Sequence, residues 1–193
     1  MNLCIIEQPA TAESLAAYSQ VSIAFTAASR FRVDLIDGGL GGVTLSEEPL
    51  TSPQFHDGDT LAGEGPARWA EWWDLSRWTL LCAFDGETRV GGAVVARHTE
   101  GMWFLRGRED MAALWDIRVA PAYRRRGVGS ALFNAAADWA RGAGCRVLKI
   151  ETQSVNVAAC RFYMAKGARL GGFDRFAYED QPDEVELDWY LDL

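Results

Sequence analysis

One stretch of the chain, LWDIRVAPAYRRRGVGSALFNAAADWARGAG at residues 114–144, restricts the possible folds more than any other. It begins as a strand that ends at Ala120-Pro121 and finishes as an alanine-rich helix, with three arginines and a Gly-Val-Gly turn between them. The first backbone N–H groups of a helix lack intrahelical acceptors and carry partial positive charge. A glycine turn with added arginines at such a helix start therefore predicts an anion site, and phosphate is the best-matched anion.

Two familiar phosphate-binding motifs do not fit this turn. A dinucleotide fingerprint needs GxGxxG, and Leu132 stands where its third glycine would be. A Walker A loop needs Gly-Lys followed by Ser or Thr, and no such tripeptide occurs. Without a ligand, the same turn would be a plain helix cap with a solvated basic patch. The turn taken alone leaves both interpretations open.

The order of the predicted elements indicates an α/β or α+β fold around a mixed sheet. Strands are predicted at LCIIE, RFRVDLI, GVTLSEE, TLLCAF, ETRVGGAVVARH, AALWDIRV, RVLKIET, ARLGGFDRFAY and EVELDWYLDL. The early strands meander, with turn signals at DGGLGG and at Asp85-Gly86. The later strands alternate with the helices SALFNAAADWARGAG and NVAACRFYMAKG, and this alternation favours some parallel pairing.

Other segments carry more specific expectations. TAESLAAYSQVSIAF predicts a helix with Thr11 as N-cap and with Leu15, Tyr18 and Ser22 on one face. PLTSPQFHDGDTLAGEGP reads as a long loop, and ARWAEWWDL as a short tryptophan-rich helix. The helix after the arginines is expected to have an apolar face formed by Leu132, Phe133, Ala136, Trp139 and Ala140. The helix that follows is expected to have Asn156 as its N-cap and Gly167 as its C-cap.

Size, charge and cysteine content exclude several classes of protein. The 193 residues fit one domain, and the net charge of −8 argues against nonspecific nucleic-acid binding. Four cysteines without a CxxC pair and two histidines do not make a structural zinc site, so we expect no metal and four buried free thiols. The start MNLCIIEQPA is not a signal peptide, and no apolar run reaches about 18 residues. We expect a cytoplasmic protein without a membrane segment.

VAPAYRRRGVGSAL resembles the acetyl-CoA-binding signature of the GNAT family of N-acetyltransferases, whose core pattern is Q/R-x-x-G-x-G/A. Arg124, Gly127 and Gly129 stand at the fixed positions of that pattern. NVAACRFYMAKG resembles the family's second block, with Ala168 in place of its usual following aromatic residue. The matching residues of the second block are Asn156, Ala159, Phe162, Tyr163, Lys166 and Gly167. The likeness is strong from about Trp78 onward and weak before it.

Within the family, the chain is most similar to the streptothricin acetyltransferases. The similarity is carried by IETQSVNVAACRFYMAKGARLGGFDRFAY and by the terminal EVELDWYL. Trp115 departs from these relatives, which tend to have an acid in front of the aspartate that is Asp116 here.

The resemblance implies one GNAT domain over residues 1–193, with a variable acceptor-side part at 1–75 and an acetyl-CoA-binding core at 76–193. The implied fold is a mixed, mostly antiparallel sheet with a splayed parallel strand pair, flanked by helices. The implied reaction is direct transfer of the acetyl group of acetyl-CoA to a primary amine. The residues expected to bind acetyl-CoA are Ile117, Val119, Arg124, Arg125, Arg126, Gly127, Val128, Gly129, Ser130, Asn156, Ala159 and Tyr163.

The chemistry requires a base, because a protonated amine is not a nucleophile. Glu151 and Asp116 are the candidate carboxylates, and Glu151 is preferred because it lies near the end of its strand. Either acid can instead hold the substrate ammonium or cap a neighbouring element, and a water chain can remove the proton. By resemblance, a backbone N–H around Val119 stabilises the oxyanion and Tyr163 protonates the leaving thiolate. Tyr163 can also be a core aromatic beside Phe162.

The acceptor is expected to be a cationic small molecule, such as streptothricin or a lysine-like amine. Residues 174–188 contain seven acids and one arginine, and Asp57, Asp59 and Glu64 lie in the long loop. These acids either attract a cation or form a solvated surface. Trp69, Trp72 and Trp73 either line the acceptor site or pack internally.

Two remaining residues are assigned no part in the chemistry. His56 is expected to be solvated in its loop, and Cys160 has no base partner nearby in sequence and is not read as a nucleophile. For the whole chain, the alternative to an enzyme is a non-catalytic CoA-binding regulatory or interaction protein. A homodimer is compatible with either function.

Overall fold

The structure of the protein, a computed structural model, describes residues 1–59 and 65–193. Glu64, one of the acids assigned to the acceptor side, lies outside the described residues. The elements in chain order are β1 (Leu3–Pro9), α1 (Ala12–Tyr18), β2 (Phe25–Ile36), β3 (Gly42–His56), α2 (Trp69–Trp72), β4 (Thr79–Asp85), β5 (Thr88–Arg97), β6 (Met111–Val119), α3 (Val128–Gly142), β7 (Val147–Gln153), α4 (Val157–Ala165), β8 (Arg169–Asp174) and β9 (Glu186–Asp192).

Seven strands form one sheet in the order β1-β4-β5-β6-β7-β9-β8, and β2 and β3 form a separate antiparallel ribbon. The pairs β1–β4, β4–β5, β5–β6 and β8–β9 are antiparallel, whereas β6–β7 is parallel. Residues 111–114 of β6 pair with residues 147–150 of β7, but β6 continues to Val119. The two parallel strands therefore part after Leu114. This arrangement confirms the predicted mixed, mostly antiparallel sheet with a splayed parallel pair.

The chain divides into two compact units. The first unit comprises Met1–Ala24, Asp57–Ile150 and Leu191–Leu193, and the second comprises Phe25–His56 and Glu151–Tyr190.

In the first unit, helix α3 packs against β4, β5 and β6. The predicted apolar face is confirmed, since Leu132, Phe133, Ala136 and Ala140 are all buried. Trp139 is only half-buried, and its indole Nε1 donates a hydrogen bond to Glu7 at 2.9 Å. Among the residues that the structure describes, no helix is both long and apolar enough to cross a membrane.

In the second unit, α4 packs against β2 of the ribbon. The predicted N-cap is confirmed, because the Asn156 side-chain oxygen accepts from Ala159 N at 3.1 Å. Gly167 follows the C-cap with φ = 90°, a left-handed conformation that favours glycine. Ser154 connects two segments, since its carbonyl accepts from Phe31 N and its backbone N donates to Val185 O.

Two predicted boundaries are wrong. The segment predicted as a loop from Pro49 is a strand as far as His56, because β3 pairs with β2 in a two-stranded ribbon and is therefore an edge strand. Proline is tolerated in an edge strand, and Pro49 lies at the register shift opposite Ser29. Helix α1 has the predicted Thr11 cap but ends at Tyr18, so Ser22 is not on its face.

Three smaller predictions are corrected in detail. The tryptophan-rich helix α2 has only four residues and is preceded by a 3₁₀ turn at residues 66–68. The predicted β4–β5 hairpin exists, but Asp85 is the last strand residue and pairs with Thr88 across a two-residue loop. All four cysteines are free, yet Cys4 is exposed because it points outward from the edge strand β1.

Candidate functional site

The arginine–glycine turn of the first unit joins the end of β6 to the start of α3. A 3₁₀ turn at residues 121–123 follows β6, and Gly127 is the N-cap of α3 with φ = 90° and no side-chain capping bond. Ala131 N donates to Gly127 O at 3.0 Å and closes the first helical turn. The N–H groups of Val128, Gly129 and Ser130 precede that bond, so they belong to the part of the helix that can bind an anion.

The three arginines of the turn have different environments. Arg124 is half-buried, with Nε donating to Val119 O at 2.9 Å and Nη2 donating to Ala24 O at 2.8 Å. Its guanidinium therefore ties the turn to the end of β6 and to the segment after α1. Arg125 and Arg126 are exposed, and the Arg126 guanidinium lies 5.1 Å above the Tyr123 ring. These two side chains supply the accessible positive charge at the helix start.

Strand β6 has a bulge where it parts from β7. Val94 pairs with Asp116 and Val95 pairs with Leu114, so Trp115 is the extra residue. Ile117 and Val119 continue the ladder with β5, opposite Ala93 and Gly91 respectively. Because the parallel pairing ends at Leu114, the backbone beyond the bulge has one edge that β7 residues 147–150 do not cover. A bulge that ends strand pairing is a frequent feature beside active sites.

Asp116 lies in a buried ion-pair network of the first unit. Arg118 donates to both carboxylate oxygens, from Nε to Oδ1 at 2.9 Å and from Nη2 to Oδ2 at 2.5 Å. The Tyr18 hydroxyl also donates to Oδ1. Burial, followed by the charge of Asp116, raises the pKa of Tyr18 well above its usual value, so the phenol remains a donor. Gly92 allows this approach, because a Cβ there would lie 2.6 Å from the Tyr18 ring.

Arg118 is the centre of the same network, with only 1% of its side chain exposed. It forms a second ion pair with Asp59 at 2.6 Å, donates to Val21 O at 3.1 Å, and lies 4.9 Å over the Tyr18 ring. Burial lowers the pKa of the guanidinium, but hydrogen bonds and attraction from Asp116, with smaller contributions from Tyr18 and Asp59, raise it overall. The guanidinium therefore stays charged.

Four aromatic rings of the first unit surround Trp115. The Trp69, Trp73, Trp78 and Phe104 rings lie 5.8–6.4 Å from the Trp115 ring, mostly edge-on. Trp69 thus packs internally, whereas Trp73 contacts Trp115 but remains half-buried. Trp72 is 42% exposed and lies under the Arg68 guanidinium at 5.0 Å. The cation on this cluster is the protein's own Lys149, whose Nζ lies 3.8 Å from the Phe104 ring.

Glu151 belongs to the second unit and is exposed in β7. The Tyr178 hydroxyl donates to its Oε1 at 2.6 Å. Burial raises the pKa of Tyr178 strongly, and Glu151, Glu186 and Glu184 raise it further by charge and hydrogen bonding. The phenol is therefore protonated and acts as the donor of this bond.

The second-block residues lie on and next to α4 in the second unit. The bond between Asn156 and Ala159 N uses the amide oxygen for the helix cap. Tyr163 is buried, with its ring 5.5 Å from that of Phe162. Burial raises the pKa of Cys160 to about 12, which is consistent with assigning this thiol no nucleophilic role.

His56 is not solvated in a loop, which corrects the prediction. It is the last residue of β3, is 7% exposed, and stacks on Phe25 at 5.1 Å. Its Nδ1 lies 3.7 Å from Glu184, and within residues 1–59 and 65–193 its buried Nε2 has no hydrogen-bond partner. Burial lowers the pKa of His56 and raises that of Glu184, which keeps both groups closer to their neutral forms.

The predicted residues are thus brought together in two groups, one in each unit. The first unit contains Asp116 and the predicted acetyl-CoA contacts from Ile117 to Ser130, and the second contains Glu151, Asn156, Ala159 and Tyr163. Sequence reasoning missed the partners of the two carboxylates. The Asp116-x-Arg118 spacing on a strand was a usable signal, since it places both side chains on one face. Nothing comparable linked Tyr178 to Glu151.

More than half of the chain is similar to one known protein family. Residues 45–168 match the model of the family described as Acetyltransferase (GNAT) family. The chain belongs to this family. Within residues 1–59 and 65–193, no group of three or more His, Cys, Asp or Glu side chains is arranged to hold a metal ion.

Individual relatives point to one branch of the family. Streptothricin acetyltransferase A of Bacillus subtilis (strain 168) is 38% identical over 81 residues, which are 41% of this chain and 47% of that protein. Streptothricin acetyltransferase of Streptomyces lavendulae is 28% identical over 169 residues, covering 88% of this chain and 84% of that protein. The chain therefore matches about half the length of the Bacillus subtilis relative.

Solved structures agree on the fold. A Bacillus anthracis protein assigned as a streptothricin acetyltransferase, solved in complex with acetyl coenzyme A, is 25% identical, with a TM-score of 0.76 over 99% of both chains. Nourseothricin acetyltransferase is 24% identical, with a TM-score of 0.75 over 100% of this chain and 99% of that chain. These comparisons confirm the GNAT fold.

Proposed function

We propose that the protein is an N-acetyltransferase that moves the acetyl group of acetyl-CoA directly to a primary amine of a cationic small molecule. Streptothricin or a lysine-like amine is the proposed acceptor, in agreement with the activity in the names of the relatives. Residues 1–193 are proposed to form one acetyltransferase domain, with the acceptor-side part at 1–75 and the acetyl-CoA core at 76–193.

The observation that carries the proposal is the exposed turn between β6 and the fifteen-residue helix α3. Arg125 and Arg126 present their side chains to solvent, and Gly127 adopts the left-handed conformation that exposes the first helical N–H groups. A pyrophosphate needs such donors and such charge, so the turn fits the diphosphate of acetyl-CoA. The parting of β6 from β7 leaves a backbone edge near Val119 for the thioester arm.

When bound, acetyl-CoA supplies the activated acetyl group. The protein's own part is to orient that group and to move protons. A backbone N–H around Val119 is proposed to stabilise the developing oxyanion, and Tyr163 to donate a proton to the departing thiolate. Asn156 and Ala159 are proposed to line the arm beside the α4 cap.

Glu151 is the proposed base that deprotonates the acceptor ammonium. It is exposed, so an amine can reach it, and the Tyr178 phenol that donates to it is neutral. Asp116 is instead bonded through both oxygens to the buried Arg118. A base must present an oxygen to the amine within hydrogen-bond distance. The environments of the two carboxylates therefore favour Glu151 for proton transfer and Asp116 for holding the strand beside the bulge.

The charge pattern supports a cationic acceptor. The net charge is −8, and Asp174 at the end of β8 and Glu179 and Asp180 between β8 and β9 are exposed. Exposed acids raise the encounter rate of a cation. Asp59 contributes little to such steering, because it is paired with Arg118. The steering acids are therefore proposed to lie in the segment that leads to β9.

Thiol release from acetyl-CoA in the presence of a panel of amines tests the proposal. We expect turnover with streptothricin and lysine-like amines, little with anionic amino acids, and a kcat/KM for cations that falls between low and physiological salt. Gly129→Asp places a carboxylate at the proposed pyrophosphate site, so acetyl-CoA affinity by calorimetry should fall at least about tenfold. Gly142→Asp is the matched control, because it adds the same charge at the exposed far end of α3.

The outcomes separate the possible functions. Equal affinity in Gly129→Asp and the wild type contradicts the pyrophosphate assignment. Acetyl-CoA binding without thiol release to any amine favours the alternative of a non-catalytic CoA-binding protein. Preference for an anionic amine contradicts the acceptor assignment but leaves acetyl transfer standing.

A further inference from the structure

The hydrogen bond between Tyr178 and Glu151 joins two segments of the second unit. Tyr178 lies in the connection between β8 and β9, and Glu151 lies in β7. The phenol oxygen is 2.6 Å from Glu151 Oε1, which is the distance of a strong hydrogen bond to a charged acceptor. The bond therefore fixes one oxygen of the carboxylate that the proposed function uses as the base.

The surroundings of Tyr178 determine which partner holds the proton. Three carboxylates, on β7, on β9 and in the connection between β8 and β9, act on the phenol: Glu151, Glu186 and Glu184. Negative neighbours disfavour a phenolate, and so does the half-buried position of the ring. Tyr178 is thus kept as a donor, and its hydrogen bond is directed toward Glu151.

We propose that Tyr178 is a positioning residue for acetyl transfer, which holds the Glu151 carboxylate in one orientation and in its ionised form so that it accepts a proton from the acceptor ammonium. This inference rests on the proposed function. A glutamate side chain has three rotatable bonds, so an exposed and unbonded carboxylate samples many orientations. One strong bond to a fixed ring restricts that sampling before the amine arrives.

Tyr178→Phe is the direct test, because it removes the hydroxyl and keeps the ring. We expect kcat with the best amine of the panel to fall on the order of tenfold, with the KM for acetyl-CoA unchanged. The acid side of the pH profile of kcat/KM should move to higher pH, because a carboxylate that loses a donor takes up its proton more readily. Glu184 and Glu186, which act on Tyr178, and Cys160, which is coupled to Glu151, are unchanged in the variant.

Two comparisons separate positioning from a general structural effect. Tyr190→Phe is the matched control, since that hydroxyl lies on β9 and is 3.5 Å from Asp188; it should leave the pH profile in place. In a Glu151→Gln background, Tyr178→Phe should cause little further loss, because the group that it positions has lost its proton-accepting role. If Tyr178→Phe does not fold, kcat and the pH profile of kcat/KM are measured for Glu151→Gln instead.

The possible results distinguish failure of this inference from failure of the proposed function. A wild-type pH profile and kcat in Tyr178→Phe, or additive losses in the double variant, overturn the positioning role alone. Wild-type kcat in Glu151→Gln overturns both the base assignment and the positioning role, while thiol release still supports acetyl transfer. Absence of thiol release from the wild type with every amine overturns the inference together with the proposed function.

Discussion

Replacing Arg118 with methionine should destabilise the protein far more than the loss of a typical surface arginine. Methionine keeps much of the apolar stem but removes the charge and the donors that meet Asp116 and Asp59. The Arg118 side chain is 1% exposed and that of Asp116 is 6% exposed. The substitution therefore leaves a carboxylate in a site that water hardly reaches.

The size of the expected loss of stability follows from the contacts that each carboxylate retains. Removing one partner of a buried ion pair costs about 3–5 kcal/mol. Asp116 keeps the Tyr18 hydroxyl as a donor, and the Asp59 side chain is 25% exposed and can be partly rehydrated. We therefore expect the lower end, about 3 kcal/mol, which for a chain of this size lowers Tm by roughly 6–12 °C.

Urea unfolding followed by circular dichroism, with thermal melts in parallel, measures the effect. Arg108→Met is the matched control, because Arg108 makes a similar two-pronged contact with Asp110 at the surface, where both side chains are substantially exposed. The loss of stability in Arg108→Met should be much smaller than that in Arg118→Met. The double variant Arg118→Met/Asp116→Asn should regain part of the stability, because a neutral pair replaces an isolated charge. Equal losses in Arg118→Met and Arg108→Met, or a double variant less stable than Arg118→Met, would refute this reasoning.

Three further results are expected. Tyr163→Phe keeps the ring beside Phe162 but should lower kcat on the order of 10²-fold with little change in acetyl-CoA affinity, whereas an unchanged kcat would make Tyr163 a packing residue only. Because burial lowers the pKa of His56, the unfolded chain binds a proton there at pH values where the folded chain does not. The stability of the wild type should therefore fall, relative to that of His56→Phe, as pH drops below about 6.5. A stability difference in urea unfolding that does not depend on pH would argue against this. A maleimide should label exposed Cys4 of the folded protein well before buried Cys160, and mass spectrometry of the peptides would expose the opposite order.

The features that the sequence predicts well depend on local chemistry. The caps at Thr11 and Asn156 involve a side chain and a backbone group three residues away, so the residue types suffice to find them. The left-handed Gly167 after α4 is equally local, because only backbone conformation decides it. Helix α3, in contrast, begins at Val128, two residues before the predicted Ser130. The alternation of strands and helices in the later part of the chain predicts some parallel pairing, and β6 and β7 are indeed parallel.

The features that the sequence does not reveal depend on contacts between distant residues. Tyr18 and Asp116 are 98 positions apart, and Tyr178 and Glu151 are 27 apart, so no spacing rule links them. The extension of β3 was missed for a related reason. Proline argues against a strand in general, but Pro49 lies in a ribbon where an unpaired edge tolerates it.

The same long-range contacts separate two carboxylates that look equivalent in the sequence. Asp116 lies on β6 and Glu151 lies on the neighbouring strand β7, and each was a candidate for the base. Asp116 is bonded to a guanidinium and a phenol in a buried network, so an approaching amine would have to displace existing donors. Glu151 is exposed and is oriented by a phenol that remains neutral. A proton-accepting group needs access and orientation together, and of these two carboxylates Glu151 has both. The rate and pH profile of Tyr178→Phe therefore test the proposed catalytic role of Glu151, whereas the unfolding of Arg118→Met tests the stability of the strand that carries Asp116.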